Sequence, residues 1–140
     1  MALVSRVPPV GGAAAGWCDS RPDAPARNIL FAACDSAESR AAFSWSRANL
    51  LRQQDTVVLV HAYAKDRVFG GNVNVLAEGK RVMAEFEALC RDREVQFRSV
   101  LAQGDAARIV AAAAQANRCD LCVMGCRGLG PVKRALVGSV

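Results

Sequence analysis

The chain has 140 residues, 52% of them hydrophobic and 22% charged, which is the composition of one globular domain with room for one sizeable core. Its longest apolar stretches fall far short of the roughly 18 residues a membrane helix needs, so the sequence excludes a spanning segment and points to a soluble protein. The formal charge of +5 is scattered, mostly as arginine, and attracts phosphates of any kind without choosing among nucleotide, nucleic acid and acidic partner.

Residues 1–26 carry Arg6, Pro8, Pro9, Gly11, Gly12 and an alanine cluster, with no period of 3.6 or 2.0 and no leucine-rich secretory stretch. Such a segment buries too little surface to offset its ordering entropy, and it is expected to be a disordered N-terminal arm. From Arg27 the texture changes. Asn28-Ile29-Leu30-Phe31-Ala32-Ala33-Cys34 reads as a buried strand feeding the helix cap at Asp35-Ser36. Ala41, Ala42, Trp45, Ala48 and Leu51 recur at helical spacing and predict an apolar stripe facing a sheet, with Trp45 in the core.

Asp55 and Thr56 open a second continuous apolar run, Val57-Val58-Leu59-Val60-His61-Ala62, of β-branched character. After a loop with Gly70 and Gly71, the residues Val75, Leu76, Gly79, Val82, Met83, Phe86, Leu89 and Cys90 mark the buried side of a second helix. Val95 to Leu101 alternates as a strand with one more exposed face would. Gly104-Asp105 is a turn and N-cap for a third helix whose core side is Ile109, Val110, Ala113 and Ala114. The run from Cys119 to Gly125 closes the pattern as a buried strand ending on glycine. Strands alternating with helices in this way predict a doubly wound parallel α/β sheet with right-handed crossovers.

In such sheets ligands bind at the carboxyl ends of the strands. The richest of these ends is the tail Gly125-Cys126-Arg127-Gly128-Leu129-Gly130 through Lys133, Arg134, Gly138, Ser139 and Val140, with glycines where backbone amides could approach phosphate oxygens. The spacing Gly125, two residues, Gly128, nine residues, Gly138-Ser139, after a strand ending Val-Met-Gly, resembles the ATP-binding signature of the universal stress protein family. The similarity runs from about Arg27 to Val140, through Asn28-Ile29-Leu30, Ser36 to Trp45, His61 and Gly104-Asp105, and makes residues 27–140 one domain.

That resemblance implies a Rossmann-like fold of the adenine nucleotide alpha hydrolase type. It also implies ATP or AMP, with Mg2+ bridging the phosphate oxygens. Ala62 would offer backbone hydrogen bonds to the adenine, and Ala32 and Met124 would line its pocket. Gly125, Arg127 and Gly128 would meet the ribose and phosphates, and Gly138, Ser139 and Val140 the remaining phosphates. An ungapped alignment puts Cys34 where the family usually has an aspartate, with Asp35 one residue later. Family members also continue through one more helix and a fifth strand, so a chain ending at Val140 is expected to lack both and to leave the strand ending at Gly125 as an open sheet edge.

Other candidates have plainer readings. His61 is the single histidine and is expected to be a hydrogen-bonded residue at a strand end. Cys119 and Cys122 have the spacing of a metal pair, yet residues three apart in an extended strand point to opposite faces. The cysteines, several of them inside apolar runs, are expected to be reduced thiols, with Cys126 the one placed to be reactive. Two Trp, one Tyr and five Phe, with no basic stripe interleaved, give little support to nucleic-acid binding. The reading that follows is an adenine-nucleotide-binding stress-response module, cytoplasmic, with nuclear or organellar placement as alternatives, acting as a homodimer or as a heterodimer with a related chain. The alternatives are a shortened paralogue that dimerises without nucleotide, and a slow ATP hydrolase, for which no catalytic residue is evident.

Overall fold

The structure is a computed structural model that describes residues 2–6, 25–63 and 74–125. In chain order the elements are β1 (Ala2–Arg6), β2 (Asn28–Ala32), α1 (Ala37–Asn49), β3 (Thr56–Tyr63), α2 (Val75–Arg91), β4 (Gln96–Gln103), α3 (Ala106–Ala116) and β5 (Leu121–Gly125). They form one five-stranded sheet in the order β1-β5-β2-β3-β4. The pairings β2 with β3, β2 with β5 and β3 with β4 are parallel, as the β-α-β alternation predicts.

The central strands are apolar on both faces because both faces are covered. Ile29, Phe31, Val57, Leu59 and Val123 pack under α1 and α2 with Phe43, Val82, Met83 and Phe86. Phe31, Phe43 and Phe86 meet edge-on or tilted, with centroids 5.0 to 5.6 Å apart. On the other face Leu30, Val58, Val60 and Cys122 pack against Ala113 and Ala114 of α3. The helices start where side chains can accept the orphan amides. Ser36 accepts from Ser39 N–H, Asn74 from Ala77 N–H and Asp105 from Arg108 N–H.

Three expectations are corrected. Trp45 is not in the core but 46% exposed, and the buried side of α1 is Ser39, Ala42, Phe43 and Ser46. Two serines take core positions because their hydroxyls are satisfied locally: Ser46 Oγ donates to Ala42 O at 2.7 Å, and Ser39 Oγ accepts from Cys34 N–H at 3.1 Å. Cys119 and Cys122 do not face opposite ways. The strand begins only at Leu121, and both thiols end up in the cluster beneath α3.

The third correction concerns the arm and the sheet edge. Ala2–Arg6 is a strand, paired antiparallel with β5 in the register Ala2↔Gly125 to Arg6↔Leu121. It pairs the backbone groups that an open β5 edge would present to other chains. Met1 and residues 7–24, the rest of the expected disordered segment apart from Pro25 and Ala26, lie outside the described residues. Among the described residues no helix is long and apolar enough to cross a membrane.

Candidate functional site

The order of the sheet reverses between β2 and β5. From β2 the chain winds one way through α1, β3, α2 and β4, and α3 then carries it back to β5 on the other side of β2. The carboxyl ends of β2 and β5 therefore part around a crevice, the place where doubly wound sheets take their ligands. Ala32 and Met124 stand opposite each other there, and Ala62 lies two residues beyond Val60, the partner of Ala32 on β3. Strand alternation puts all three on the face of Leu30, Val58, Val60 and Cys122. Ala102, the partner of Ala62 on β4, extends the row. Half-buried methyl groups beside a thioether make a shallow apolar shelf that suits a flat ring. Ala102 went unnoticed in the sequence, although it follows Val100 at the strand period.

The loop after β2 is braced from three sides. Ala33 N–H continues the ladder to Val60 O at 2.8 Å, and His61 Nδ1–H donates to Ala33 O at 2.8 Å. Cys34 N–H donates to Ser39 Oγ, and the Cys34 thiol lies 3.3 Å from Ser36 Oγ. His61 has the hydrogen-bonded strand-end role expected of it. It points to the α2 face, where Gly79 leaves room: a Cβ there would come within 3.2 Å of its ring and 3.1 Å of Leu101.

Asp35 is engaged on that same helical face. Its carboxylate accepts from Arg40 of α1 at 2.7 Å and from Arg81 of α2 at 2.6 Å. Arg40 also holds Glu85, and Arg81 holds Glu78. The hydrogen bonds from Arg40, and then from Arg81, keep the Asp35 carboxyl below the usual carboxylate range. The five-residue ion network thus ties α1 to α2 through the loop, on the face opposite the alanine row. None of its arginine or glutamate members stood out in the sequence: Glu78 and Arg81 read as an ordinary i,i+3 pair on a helix surface, and the links from Arg40 to Glu85 and from Arg81 to Asp35 span 45 and 46 residues and leave no local signal.

Gly125 has a steric reason of its own. A Cβ built on it would lie 2.7 Å from the carbonyl carbon and oxygen of Glu38 and from Ser39 Cα, so glycine lets the first turn of α1 rest on the end of β5. The remaining expected site residues, Arg127, Gly128, Gly138, Ser139 and Val140, lie outside the described residues, as does Cys126. Burial pushes the thiols of Cys90, Cys119 and Cys122 up to about 11, which keeps them protonated and inert at neutral pH. Among the described residues no group of three or more His, Cys, Asp or Glu side chains is placed to hold a metal ion.

Residues 25–140 match the model of the universal stress protein family. Among solved structures, the chain resembles a universal stress protein family protein of Arabidopsis thaliana with AMP bound, at 18% identity over 81% of this chain and 84% of that one, with a TM-score of 0.60. A member of the same family from Burkholderia pseudomallei is 23% identical over 79% of this chain and 88% of its own, with a TM-score of 0.61. The UspA universal stress protein of Lactobacillus plantarum is 19% identical over 84% and 88%, with a TM-score of 0.53. Among curated proteins nothing matches the chain.

Proposed function

The chain belongs to the universal stress protein family, and on that premise we propose that it is an adenine-nucleotide-binding stress-response module whose nucleotide state biases its association with partners. The observation that carries this reading is the row Ala32, Ala62 and Met124 on one face, at the reversal of strand order. A relative with this fold was solved with AMP bound. The shelf suits an adenine, with the Ala62 backbone as its hydrogen-bonding edge. Gly125, Arg127, Gly128, Gly138, Ser139 and Val140 are then assigned to the ribose and phosphates by the glycine spacing.

Mg2+ fits this reading only as a companion of the nucleotide. No described group of carboxylates could hold it alone, so its oxygens would come from the phosphates. Free thiols at Cys34, Cys90, Cys119 and Cys122 suit a reducing, cytoplasmic setting. Slow ATP hydrolysis ranks last, because the imidazole of His61 is bonded to Ala33 O and lies on the helical face away from the shelf.

One observation favours a second reading, a paralogue that associates without nucleotide. Cys34 stands where the family usually has an aspartate, and the neighbouring Asp35 is committed to Arg40 and Arg81. Calorimetric titration of MgATP and of AMP into the purified chain separates the two, run beside Gly138→Asp, which would set a negative charge among the phosphates. Micromolar binding lost in the variant supports the nucleotide module. Absence of heat from either nucleotide in a folded sample supports the second reading.

A further inference from the structure

Parallel strands exchange hydrogen bonds in a fixed alternation, so the register tells which backbone groups of β3 face β2. Thr56 N–H donates to Arg27 O and Val60 O accepts from Ala33 N–H, both at 2.8 Å, so the even-numbered residues of β3 turn their amides and carbonyls toward β2. Tyr63 O accepts from Gly104 N–H at 3.0 Å, so the odd-numbered ones turn toward β4. The next rung between β2 and β3 would be Ala62 N–H donating to Ala33 O. That rung is not made. Ala33 O accepts from the His61 imidazole instead, Nδ1 to O at 2.8 Å, and among the described residues Ala62 N–H has no backbone acceptor.

The chain leaves the sheet at this point. Cys34 N–H donates to Ser39 Oγ at 3.1 Å and Ser36 N–H to Cys34 O at 2.9 Å, which turns the end of β2 into α1. Backbone donors are nearly always paired, so an amide kept out of its ladder beside an apolar shelf is placed for a partner from outside the chain. The ring that keeps it out is itself held. Leu101 is the partner of His61 on β4, and a Cβ at Gly79 of α2 would come within 3.2 Å of the ring Cδ2 and 3.5 Å of Nε2. Glycine is a poor helix former, and its place inside α2 is explained by the room the imidazole needs.

We infer that His61 is a positioning residue of the nucleotide site: by donating to Ala33 O it keeps Ala62 N–H out of the ladder between β2 and β3 and free to donate to a ring nitrogen of the base. The side chain does this from the helical face, without touching the ligand. The inference rests on the nucleotide reading for the identity of the ligand and on the ladder alone for the free amide, so the two can fail separately.

Hydrogen exchange of the full chain without ligand, followed residue by residue by NMR, reads the amide directly. Ala62 N–H should exchange about a hundredfold faster, or more, than Val60 N–H, which faces the same neighbour where the ladder is intact. In His61→Leu, which has no donor, Ala33 O returns to Ala62 N–H and exchange of that amide should slow about tenfold or more. In His61→Asn, whose side-chain Nδ2 stands where the ring Nδ1 does, it should stay fast. AMP affinity by titration should fall about tenfold in His61→Leu and stay within about threefold of the native value in His61→Asn. Equal protection of Ala62 and Val60 in the native chain overturns the inference without any variant. So does an Ala62 amide that exchanges as fast in folded His61→Leu as in the native chain, and so does unchanged AMP affinity in that variant. A native chain that binds no AMP but shows the expected exchange pattern overturns the nucleotide reading and supports the role of His61 in freeing the amide.

Discussion

The two ends of the same parallel strands are built on opposite principles. At the amino end, Asp55 is 1% exposed in its side chain and accepts from the Arg27 guanidinium, from Arg27 N–H at 3.2 Å and from Arg52 N–H at 2.9 Å. Arg27 also donates to Leu50 O, while the Asp120 carboxylate accepts from Asn28 N–H and the Asn28 side-chain amide donates to Asn117 O. At the carboxyl end the polar bonds brace the loop, and the sheet face itself is left as alanine, methionine and glycine. A buried ion pair is tolerable only when every lone pair is used, so it belongs where the chain is closed on all sides. An apolar row with one open side belongs where a ligand must enter.

The sharpest way to break this comparison is at the amino end. Asp55→Ala removes the shared acceptor of a guanidinium and two backbone amides and should cost about 3–5 kcal/mol in urea unfolding. A loss below about 1 kcal/mol would mean that the amino end is not held by this carboxylate. Replacing both partners, Arg27→Met with Asp55→Leu, should recover much of the loss.

Gly125→Ala probes the carboxyl end for packing instead. Its Cβ must displace the backbone of Glu38 and Ser39, at an expected cost of about 1–3 kcal/mol in the same assay. A neutral result would show that α1 is free to lift from β5. Ala62→Leu fills the shelf without touching the buried core. It should leave unfolding nearly unchanged and weaken adenine-nucleotide binding tenfold or more, a difference of about 1.4 kcal/mol in a titration. Unchanged affinity would remove the alanine row from the site.

Two smaller effects refine the picture. Asp35 has a folded pKa below its ordinary value of 3.8, so the stabilisation it brings is fully present above that value and is lost as pH falls through the folded pKa. The stability difference between the chain and Asp35→Asn should therefore shrink as pH drops below 3.8, and also as salt is added at neutral pH, because the network is exposed. A difference that persists in strong acid would assign another role to the side chain. Arg118, just past α3, has a φ of 48°, a conformation that glycine adopts without strain. Arg118→Gly should raise stability by up to about 1 kcal/mol, and Glu94→Gly after α2, at φ 55°, should act alike.

The sequence made the β-α-β order legible because the signals are local. Ser36 and Asp105 announce helix starts by the hydrogen bonds their side chains can make within three residues, and Val57 to Val60 can only be a strand buried on both faces. Ala32, Ala62 and Met124 could be placed at strand ends for the same reason. Their meeting on one face followed once the register was known.

What the tertiary structure alone decided depends on partners distant in sequence. Trp45 faces outward and Ser39 and Ser46 inward because backbone groups satisfy the two hydroxyls, which no hydrophobic count registers. Asp35 turns to the helical face because Arg40 and Arg81 converge on it, the latter from 46 residues away. Ala2–Arg6 becomes a strand because β5 offers it a row of unpaired backbone groups, and a backbone edge is invisible in side-chain pattern. Local periodicity chose the elements, and long-range hydrogen bonding and charge chose which faces and edges they present.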